Sequence, residues 1–233
     1  MGRRPQWRCG MKPRLLDLFC GAGGCSVGYA RAGFEVVGVD IEPHPDYPFD
    51  LTVADAMEVL ADADYLRTFD VVHASPPCPR YSSATKATGT SDQHPDLLPA
   101  VRAALVAAGV TWVIENVEGA PMPDAFTICG YAMGLPTMTI NGITAGLSRH
   151  RLFESSEFIL SPGCACDSAP KASIFGHSGS LRINGRNTAI RKEDAVRLLG
   201  VEWMTNRDDI ADAIPPAYTE FIGGQLMDAL VAA

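Results

Sequence analysis

The amino-acid sequence predicts an α/β fold, a doubly wound, mostly parallel sheet with helices on both faces and a small irregular insertion. The main observation is a set of short, β-branched apolar runs that end at glycine, acidic or proline residues. These runs are RLLDLFC (14–20), FEVVGVD (34–40), FDVVHAS (69–75) and TWVIENV (111–117). Helical stretches separate them, including one that Gly109 closes. Apolar strands that alternate with helices are typical of a parallel sheet covered on both sides.

Length and composition indicate one globular domain with an insertion. The chain has 233 residues, of which 47% are hydrophobic and 20% are charged, enough for one sizeable core. No run is apolar over the length of a membrane helix, and the first residues lack the apolar stretch of a signal peptide, so we expect a cytoplasmic protein without membrane contact. The seven cysteines follow no regular spacing, which favours reduced thiols over disulfides.

Two basic stretches interrupt an acidic chain. The formal net charge is −8, which argues against a generally basic surface for nucleic acid. Residues 1–14 and 168–192 nevertheless contain arginine and lysine and no acidic residue. Each stretch could be a solvated loop or a local contact for nucleic acid, and its position relative to the functional site must decide.

The residues that follow the predicted strands are the first candidates for function, because ligands of doubly wound folds bind at the carboxyl ends of the strands. After the first strand, Gly21, Gly23 and Gly24 permit a tight turn and a close approach of a ligand at a helix N-terminus. Such a turn can also simply join a strand to a helix. Asp40, at the end of the second strand, could accept hydrogen bonds from both hydroxyls of a ribose or cap a helix.

The spacing of these residues favours an adenosine-containing cofactor without phosphate. GAGG does not complete the G-x-G-x-x-G pattern of dinucleotide sites, and no G-x-x-x-x-G-K-[ST] phosphate loop occurs. S-adenosylmethionine needs only glycine backbone, an acid for the ribose and a contact for the adenine. Asp55, where a third strand would end, could accept the adenine amino group, although its position also suits the N-cap of the following helix.

A cysteine follows two prolines at the end of another predicted strand. Pro76 and Pro77 restrict the backbone, so that Cys78 leaves the strand in a defined direction. Cys78 could be a nucleophile beside the cofactor or a small buried hydrophobe. Glu115 ends the next strand and would point into the same crevice, where burial should raise its pKa toward working pH.

A series of motifs runs in order along the chain. They are DLFCGAGG (17–24), VDIEP (39–43), PPC (76–78), ENV (115–117), RHR (149–151), EDAVRLLGV (193–201) and IPPAYTEFIGGQL (214–226). Together they resemble the DNA cytosine C5-methyltransferase family over nearly the whole chain, with the last three corresponding to its eighth, ninth and tenth motifs. The resemblance implies the Rossmann-like fold of S-adenosylmethionine-dependent methyltransferases and DNA as the partner.

The resemblance also implies a covalent mechanism. Cys78 would add to C6 of a cytosine that is flipped out of the DNA duplex, and C5 would then take the methyl group. Glu115, protonated, would hold N3 and the exocyclic amine, and Arg151 or Arg149 would reach the cytosine O2. The polar stretch 78–93 would be the mobile loop that closes behind the base.

Two further sets of residues follow from the resemblance. Cofactor-binding residues are expected at Asp17, Phe19, Cys20, Gly21, Gly23, Gly24, Asp40, Ile41, Asp55 and Pro76. DNA-binding residues are expected at Arg80, Ser82, Lys86, Arg182, Arg186 and Arg191. The expected division of the chain is a basic extension (1–13), the catalytic and cofactor-binding domain (14–155), a reduced target-recognition region (156–192) and a segment that returns to the catalytic domain (193–233).

The sequence departs from the family pattern in three places. About 40 residues lie between the eighth and ninth motifs, which suggests short or relaxed sequence specificity and an enzyme of phage or mobile-element type. The tenth motif has prolines in place of its usual asparagine, and the eighth lacks its leading glutamine. A role in restriction-modification, with a restriction enzyme or accessory protein as partner, is left open.

Two other functions fit part of the pattern. The same thiolate chemistry on RNA or on a free pyrimidine nucleotide would suit the small recognition region. A non-catalytic or partner-dependent methyltransferase-like DNA-binding subunit would suit the altered tenth motif. Cys164 and Cys166, with His150 or His177, could form half of a metal site, but a second cysteine pair is missing, so we expect no metal.

Overall fold

The structure is a computed structural model of the chain. It describes residues 11–77, 80–81, 89–167, 169–175, 180–183 and 186–232, and within these ranges the backbone alone is described for residues 91, 140, 175, 180–183 and 186–189.

The described residues form short strands and helices that alternate through the first half of the chain. The strands are β1 (Arg14–Leu18), β2 (Glu35–Asp40), β3 (Asp50–Val53), β4 (Val71–Ala74), β5 (Thr111–Val117), β6 (Phe126–Ile128), β7 (Thr137–Ile140), β8 (Ile143–Leu147), β9 (Arg151–Ser155), β10 (Lys171–Ala172), β11 (Ile174–Phe175), β12 (Ser180–Ile183) and β13 (Arg186–Ala189). The helices are α1 (Gly24–Ala32), α2 (Ala56–Ala61), α3 (Ala63–Leu66), α4 (Leu98–Ala108), α5 (Lys192–Leu199), α6 (Arg207–Asp212) and α7 (Pro216–Ala232).

The central sheet has seven strands in the order β3-β2-β1-β4-β5-β9-β6. The first five strands in this order are parallel, and β9 runs antiparallel to both β5 and β6. The chain passes from β1 to β2 and β3 on one side and later forms β4 and β5 on the other, so the topological switch point lies between β1 and β4. The predicted doubly wound α/β fold is confirmed.

Both faces of this sheet are buried, because successive strand residues point to opposite sides. Leu16 and Ile114 belong to the cluster under α2, α3 and α4, whereas Leu15 and Val113 belong to the cluster under α1 and α7. This burial on both faces explains why the strands read as continuous apolar runs. Among the helices that the structure describes, none combines the length and the apolarity that crossing a membrane requires.

Two three-stranded sheets, ordered β10-β8-β7 and β11-β12-β13, lie outside the central sheet. They pack with α5 and α6 around a separate cluster that includes Leu147, Ile174, Leu198 and Ile210. The first of these sheets begins at β7, ahead of residue 156, where the sequence placed the start of the target-recognition region.

The first and last helices approach closely at Gly28. A Cβ atom at Gly28 would lie 2.0 Å from Thr219 Oγ1 and 2.2 Å from the Pro216 carbonyl, so only glycine fits there. The Thr219 hydroxyl donates to the Cys25 carbonyl at 2.8 Å, and Trp203 Nε1 donates to the Ala22 carbonyl at 2.9 Å. The C-terminal segment therefore fixes the turn between β1 and α1 from outside.

Candidate active site

The carboxyl ends of β1, β2, β4 and β5 meet at the switch point of the sheet. The register pairs Leu18 with both Val39 and Ala74, and it pairs Ala74 with Ile114. The residues that follow these pairs therefore line one crevice. It brings together most of the predicted cofactor residues and Glu115.

The turn after β1 provides backbone N–H groups at the start of α1. Gly21 and Gly23 have positive φ angles of 50° and 89°, the conformation that favours glycine, and Gly24 begins the helix. Phe19 also has a positive φ angle, of 59°, and Cys20 is buried, which raises the pKa of its thiol. The turn is thus shaped for a close approach to the backbone.

Asp40 lies directly against this turn. Its Oδ2 accepts from the Gly21 N–H at 2.9 Å, and its Oδ1 accepts from the Glu42 N–H at 3.1 Å. His44 Nε2 lies 3.5 Å from Asp40 Oδ1, and His44 Nδ1 lies 3.4 Å from Asp209 on α6. Each carboxylate oxygen can accept two hydrogen bonds, so Asp40 retains capacity for a ligand hydroxyl.

Large apolar side chains stand exposed beside Asp40. Ile41 is 68% exposed and Val53, at the end of β3, is 54% exposed. Asp55 caps α2 by accepting the Met57 N–H at 2.8 Å, which is the structural role that its sequence position suits. An additional contact of Asp55 with adenine stays a prediction.

Asp17 lies beneath the turn, with no exposed surface. Its Oδ2 accepts from the Ser26 hydroxyl, which also lies 2.9 Å from the Tyr47 hydroxyl. Among the described residues, Oδ1 of Asp17 finds no hydrogen-bond partner. Burial raises the pKa of Asp17 to about 7. Its predicted contact with a cofactor stays a prediction.

The backbone just before the predicted nucleophile is joined to β5. Asn116 Nδ2 donates to the buried Pro76 carbonyl at 3.1 Å. Cys78, like Ser82 and Lys86, lies outside the described residues. Arg80 donates from Nη1 to the His94 carbonyl at 3.1 Å.

Glu115 forms a buried ion pair with Arg151. The side chains belong to neighbouring antiparallel strands, in which Glu115 pairs with Phe153 and Val117 pairs with Arg151. This register places Glu115 and Arg151 diagonally on one face, with Oε1 and Nε 3.2 Å apart. Burial raises the pKa of Glu115, in the direction expected from its sequence position, and the Arg151 charge opposes the shift.

A chain of polar side chains behind Glu115 is absent from the sequence predictions. The Tyr29 hydroxyl lies 3.0 Å from His73 Nδ1, and His73 Nε2 lies 2.9 Å from the Ser75 hydroxyl, which lowers the pKa of Glu115 against the effect of burial. Burial lowers the pKa of His73 to about 3, so its ring is neutral. The sequence signal that could have indicated this network is His73, a histidine inside the apolar strand β4.

The two arginines of RHR have different surroundings. Arg149 adopts a φ angle of 30°, and its guanidinium donates to the carbonyls of Ile174, Ala211 and Ala213 at 3.3, 2.6 and 2.9 Å. Arg151 instead faces Glu115. Arg149 thus joins the C-terminal segment to the start of β9, and its predicted contact with a base stays a prediction.

Three of the predicted DNA-binding arginines lie in or after the antiparallel pair of strands β12 and β13. Arg182 and Arg186 belong to β12 and β13, where the backbone alone is described. The Arg191 side chain is 81% exposed and lies 3.3 Å from Asp194. Lys171, on β10, is also exposed.

Comparisons with known proteins point to one family. A model of the C-5 cytosine-specific DNA methylase family matches residues 13–125. Type II methyltransferase M1.HphI of Haemophilus parahaemolyticus is 36% identical over 97 residues, which cover 36% of this chain and 26% of that protein. The chain therefore aligns with about a quarter of that relative's length.

Two further matches extend the comparison. Type II methyltransferase M.HgiGI of Herpetosiphon aurantiacus is 32% identical over 125 residues, which cover 46% of this chain and 92% of that protein. The crystal structure of the S. pombe Dnmt2 methyltransferase superposes with a TM-score of 0.61 over 94% of this chain and 99% of that one, at 12% identity, a likeness of fold alone. On the family match and the coverage of M.HgiGI, the chain belongs to the C-5 cytosine-specific DNA methylase family.

Proposed function

We propose that this chain transfers a methyl group from S-adenosylmethionine to C5 of cytosine in DNA through a covalent adduct at Cys78. The observation that carries the proposal is the buried pair of Glu115 and Arg151, 3.2 Å apart. It lies beside the backbone that Asn116 holds two residues before Cys78. Addition of a thiolate places negative charge on the cytosine ring, and a carboxylic acid and a guanidinium at one crevice can stabilise that charge.

The ends of β1, β2 and β3 fit the proposed cofactor. The glycine turn offers backbone N–H groups at a helix N-terminus, and Asp40 retains acceptor capacity for ribose hydroxyls. The exposed Ile41 and Val53 offer an apolar surface for the adenine ring. When bound, S-adenosylmethionine supplies an electrophilic methyl group. The chain's own contribution is to orient that group toward the crevice and to exclude water.

The chemistry assigned to the chain begins with the Cys78 thiolate. Its sulfur bonds to C6 of the flipped cytosine, and the displaced electron pair moves into the ring. Burial raises the pKa of Glu115, which favours a carboxylic acid that can donate its proton toward N3, while Arg151 stabilises charge on O2. C5 then takes the methyl group. The C5 proton passes to water, its electron pair forms the C5–C6 double bond as the Cys78 sulfur leaves C6 as a thiolate, and N3 returns its proton to Glu115, which restores the aromatic ring.

The proposed DNA contact is the basic stretch from Lys171 to Lys192, in the region 156–192 assigned to target recognition. Its support is the exposure of Arg191 and Lys171 and the absence of acidic residues from the stretch. Lysine and arginine on one surface bind phosphates whatever the base sequence. We therefore assign this stretch to backbone contact, with Arg182 and Arg186 on its hairpin.

Trapping with a fluorinated base tests the proposal. Duplex DNA in which 5-fluorocytosine replaces cytosine can accept the methyl group but has no C5 proton to lose. With S-adenosylmethionine present, the wild-type protein should form an adduct that survives denaturation, and Cys78→Ser should form none. The matched control is Cys25→Ser, since burial raises the pKa of that thiol and leaves it unreactive.

Two outcomes would contradict the proposal. If Cys78→Ser methylates DNA as fast as the wild type, the cysteine is structural. If an adduct forms with 5-fluorocytosine in RNA and not in DNA, the substrate class is wrong.

A further inference from the structure

A cluster of three cysteines and one histidine lies at the edge of the central sheet. The ligand atoms of Cys129, His150, Cys164 and Cys166 all lie within 4.8 Å of one another. His150 Nε2 is 3.4 Å from Cys164 Sγ and 3.3 Å from Cys166 Sγ, and the two sulfurs are 3.3 Å apart. All three cysteines are free thiols.

The register of the sheet explains why residues distant in sequence meet here. Ile128 pairs with Arg151 across β6 and β9, so the next residues outward are Cys129 and His150. Val117 pairs with the same Arg151 from β5, which places Glu118 on the other side of His150. Cys164 and Cys166 belong to the segment that follows β9, and they meet Cys129 and His150 from there.

The distances among His150, Cys164 and Cys166 are close to those of ligands that share one metal ion, and Cys129 Sγ lies within 4.8 Å of all three. A tetrahedral zinc site with Zn–S bonds near 2.3 Å and a Zn–N bond near 2.0–2.1 Å places its ligand atoms about 3.5–3.8 Å apart. The observed separations of 3.3 to 3.4 Å fall within a few tenths of an ångström of that range. The sequence analysis expected no metal for lack of a second cysteine pair. The fold adds Cys129 to the Cys164, Cys166 and His150 that the sequence had named, whereas His177 lies outside the described residues.

Glu118 provides the outer contact that zinc-binding histidines require. His150 Nδ1 lies 3.0 Å from Glu118 Oε1. A hydrogen bond from Nδ1–H to this carboxylate leaves the lone pair of Nε2 directed at the sulfurs. Carboxylate–histidine–metal arrangements of this kind orient the ring and raise its basicity. The contact indicates a ligand and not a packed histidine.

We propose that Cys129, His150, Cys164 and Cys166 bind one structural Zn²⁺ ion. Thiolate and imidazole ligands select zinc over magnesium or calcium, and four protein ligands leave no open position for substrate. Cys129 and Cys166 are buried, whereas Cys164 is exposed and offers access for the ion. The ion would fasten the segment after β9 to the ends of β6 and β9.

The zinc site does not depend on the proposed methyl transfer. Its test is metal content and not activity. The full chain is expressed in zinc-supplemented medium, purified without chelator and analysed by elemental mass spectrometry. We expect one zinc per wild-type chain and loss of zinc from Cys129→Ser and Cys166→Ser. Cys20→Ser, a buried cysteine outside the cluster, is the matched control and should retain the metal.

A second measurement uses the wild-type protein, so that it gives an answer even if the cysteine variants fail to fold. Cobalt added to chelator-treated wild-type protein should give the visible bands of tetrahedral coordination and thiolate charge-transfer absorption. Glu118→Gln should weaken zinc binding by about 10- to 100-fold while keeping these bands. Wild-type protein that carries no zinc and gives no cobalt bands would overturn the proposal, as would equal zinc content in wild type and Cys166→Ser.

Discussion

Two regions of this chain position their polar groups in different ways. From Arg14 to Val117, the groups stand at the ends of parallel strands whose apolar residues are buried on both faces. From Phe126 to Arg191, four short antiparallel pairings, one parallel pairing and an irregular segment are joined in part by individual polar contacts. In the first region a side chain can change its chemistry without loss of the fold. In the second, single polar side chains supplement a small hydrophobic cluster.

Arg149 and Tyr131 illustrate the second region. Arg149 bonds carbonyls of β11 and of the segment around α6. The Tyr131 hydroxyl accepts from the Gly146 N–H at 2.7 Å and donates to the Pro170 carbonyl. Both side chains hydrogen-bond backbone groups of separate segments, and the proposed zinc ion would also join separate segments.

The largest effect is expected from Glu115→Gln, in the first region. The rate of methyl transfer should fall by about 100-fold or more, because the amide cannot supply a proton to the ring. Glutamine keeps the shape of the side chain but leaves the Arg151 charge unpaired, so a loss of stability is expected as well. Radiolabel transfer at saturating cofactor measures the rate, with Glu58→Gln on the exposed side of α2 as the control.

The raised pKa of Glu115 also predicts the pH dependence of methyl transfer, and the same variant tests it. Burial raises the pKa of Glu115, so the protonated form persists to higher pH than in an exposed glutamate. Wild-type activity should decline as pH rises through that pKa, and Glu115→Gln should lack this decline. A wild-type rate in the variant would show that Glu115 is not the proton donor.

A paired substitution of the two arginines tests the contrast directly. Arg149→Met should lower the free energy of unfolding by about 2 kcal/mol, because three backbone carbonyls lose their donor. Arg151→Met should cost less than about 1 kcal/mol, since Glu115 can take up a proton and become neutral. Urea unfolding of both variants measures the difference. Equal losses would contradict the separation of a structural from a functional arginine.

The smallest effect is expected at the cofactor acid. Asp40→Ala should weaken S-adenosylmethionine binding by about tenfold. This corresponds to a total of about 1.4 kcal/mol, the scale of one or two lost hydrogen bonds. Asp55→Ala should lower stability by about 1 kcal/mol through loss of the α2 cap. Calorimetry separates the roles. Weaker binding in Asp55→Ala would add an adenine contact to its cap, and unchanged binding in Asp40→Ala would remove Asp40 from the site.

The sequence predicted the first region well because strand ends carry local signals. Glycines with positive φ, Asp40 at the end of a β-branched run and Glu115 after an apolar run each follow from short-range chemistry. Parallel strands then bring these ends together without further information.

The second region could not be predicted in the same way, because its contacts depend on register between strands. Cys129 and His150 meet since β6 and β9 pair at Ile128 and Arg151, and no spacing rule relates them to Cys164 and Cys166. The first region also contains such a contact, since the hydrogen bond from Asn116 to Pro76 joins residues 40 positions apart. Sequence patterns report periodicity within an element, whereas these contacts need the positions of two or three elements at once.

The close approach of α1 and α7 has a consequence for how the protein folds. The contact at Gly28 joins α1 to Thr219, so the turn after β1 gains its packing from residues that are synthesised much later than the turn itself. Closing so long a loop is entropically costly, and folds dominated by such contacts form slowly. During synthesis the sheet can assemble from β1 to β5 while the face later covered by α7 stays open to chaperones.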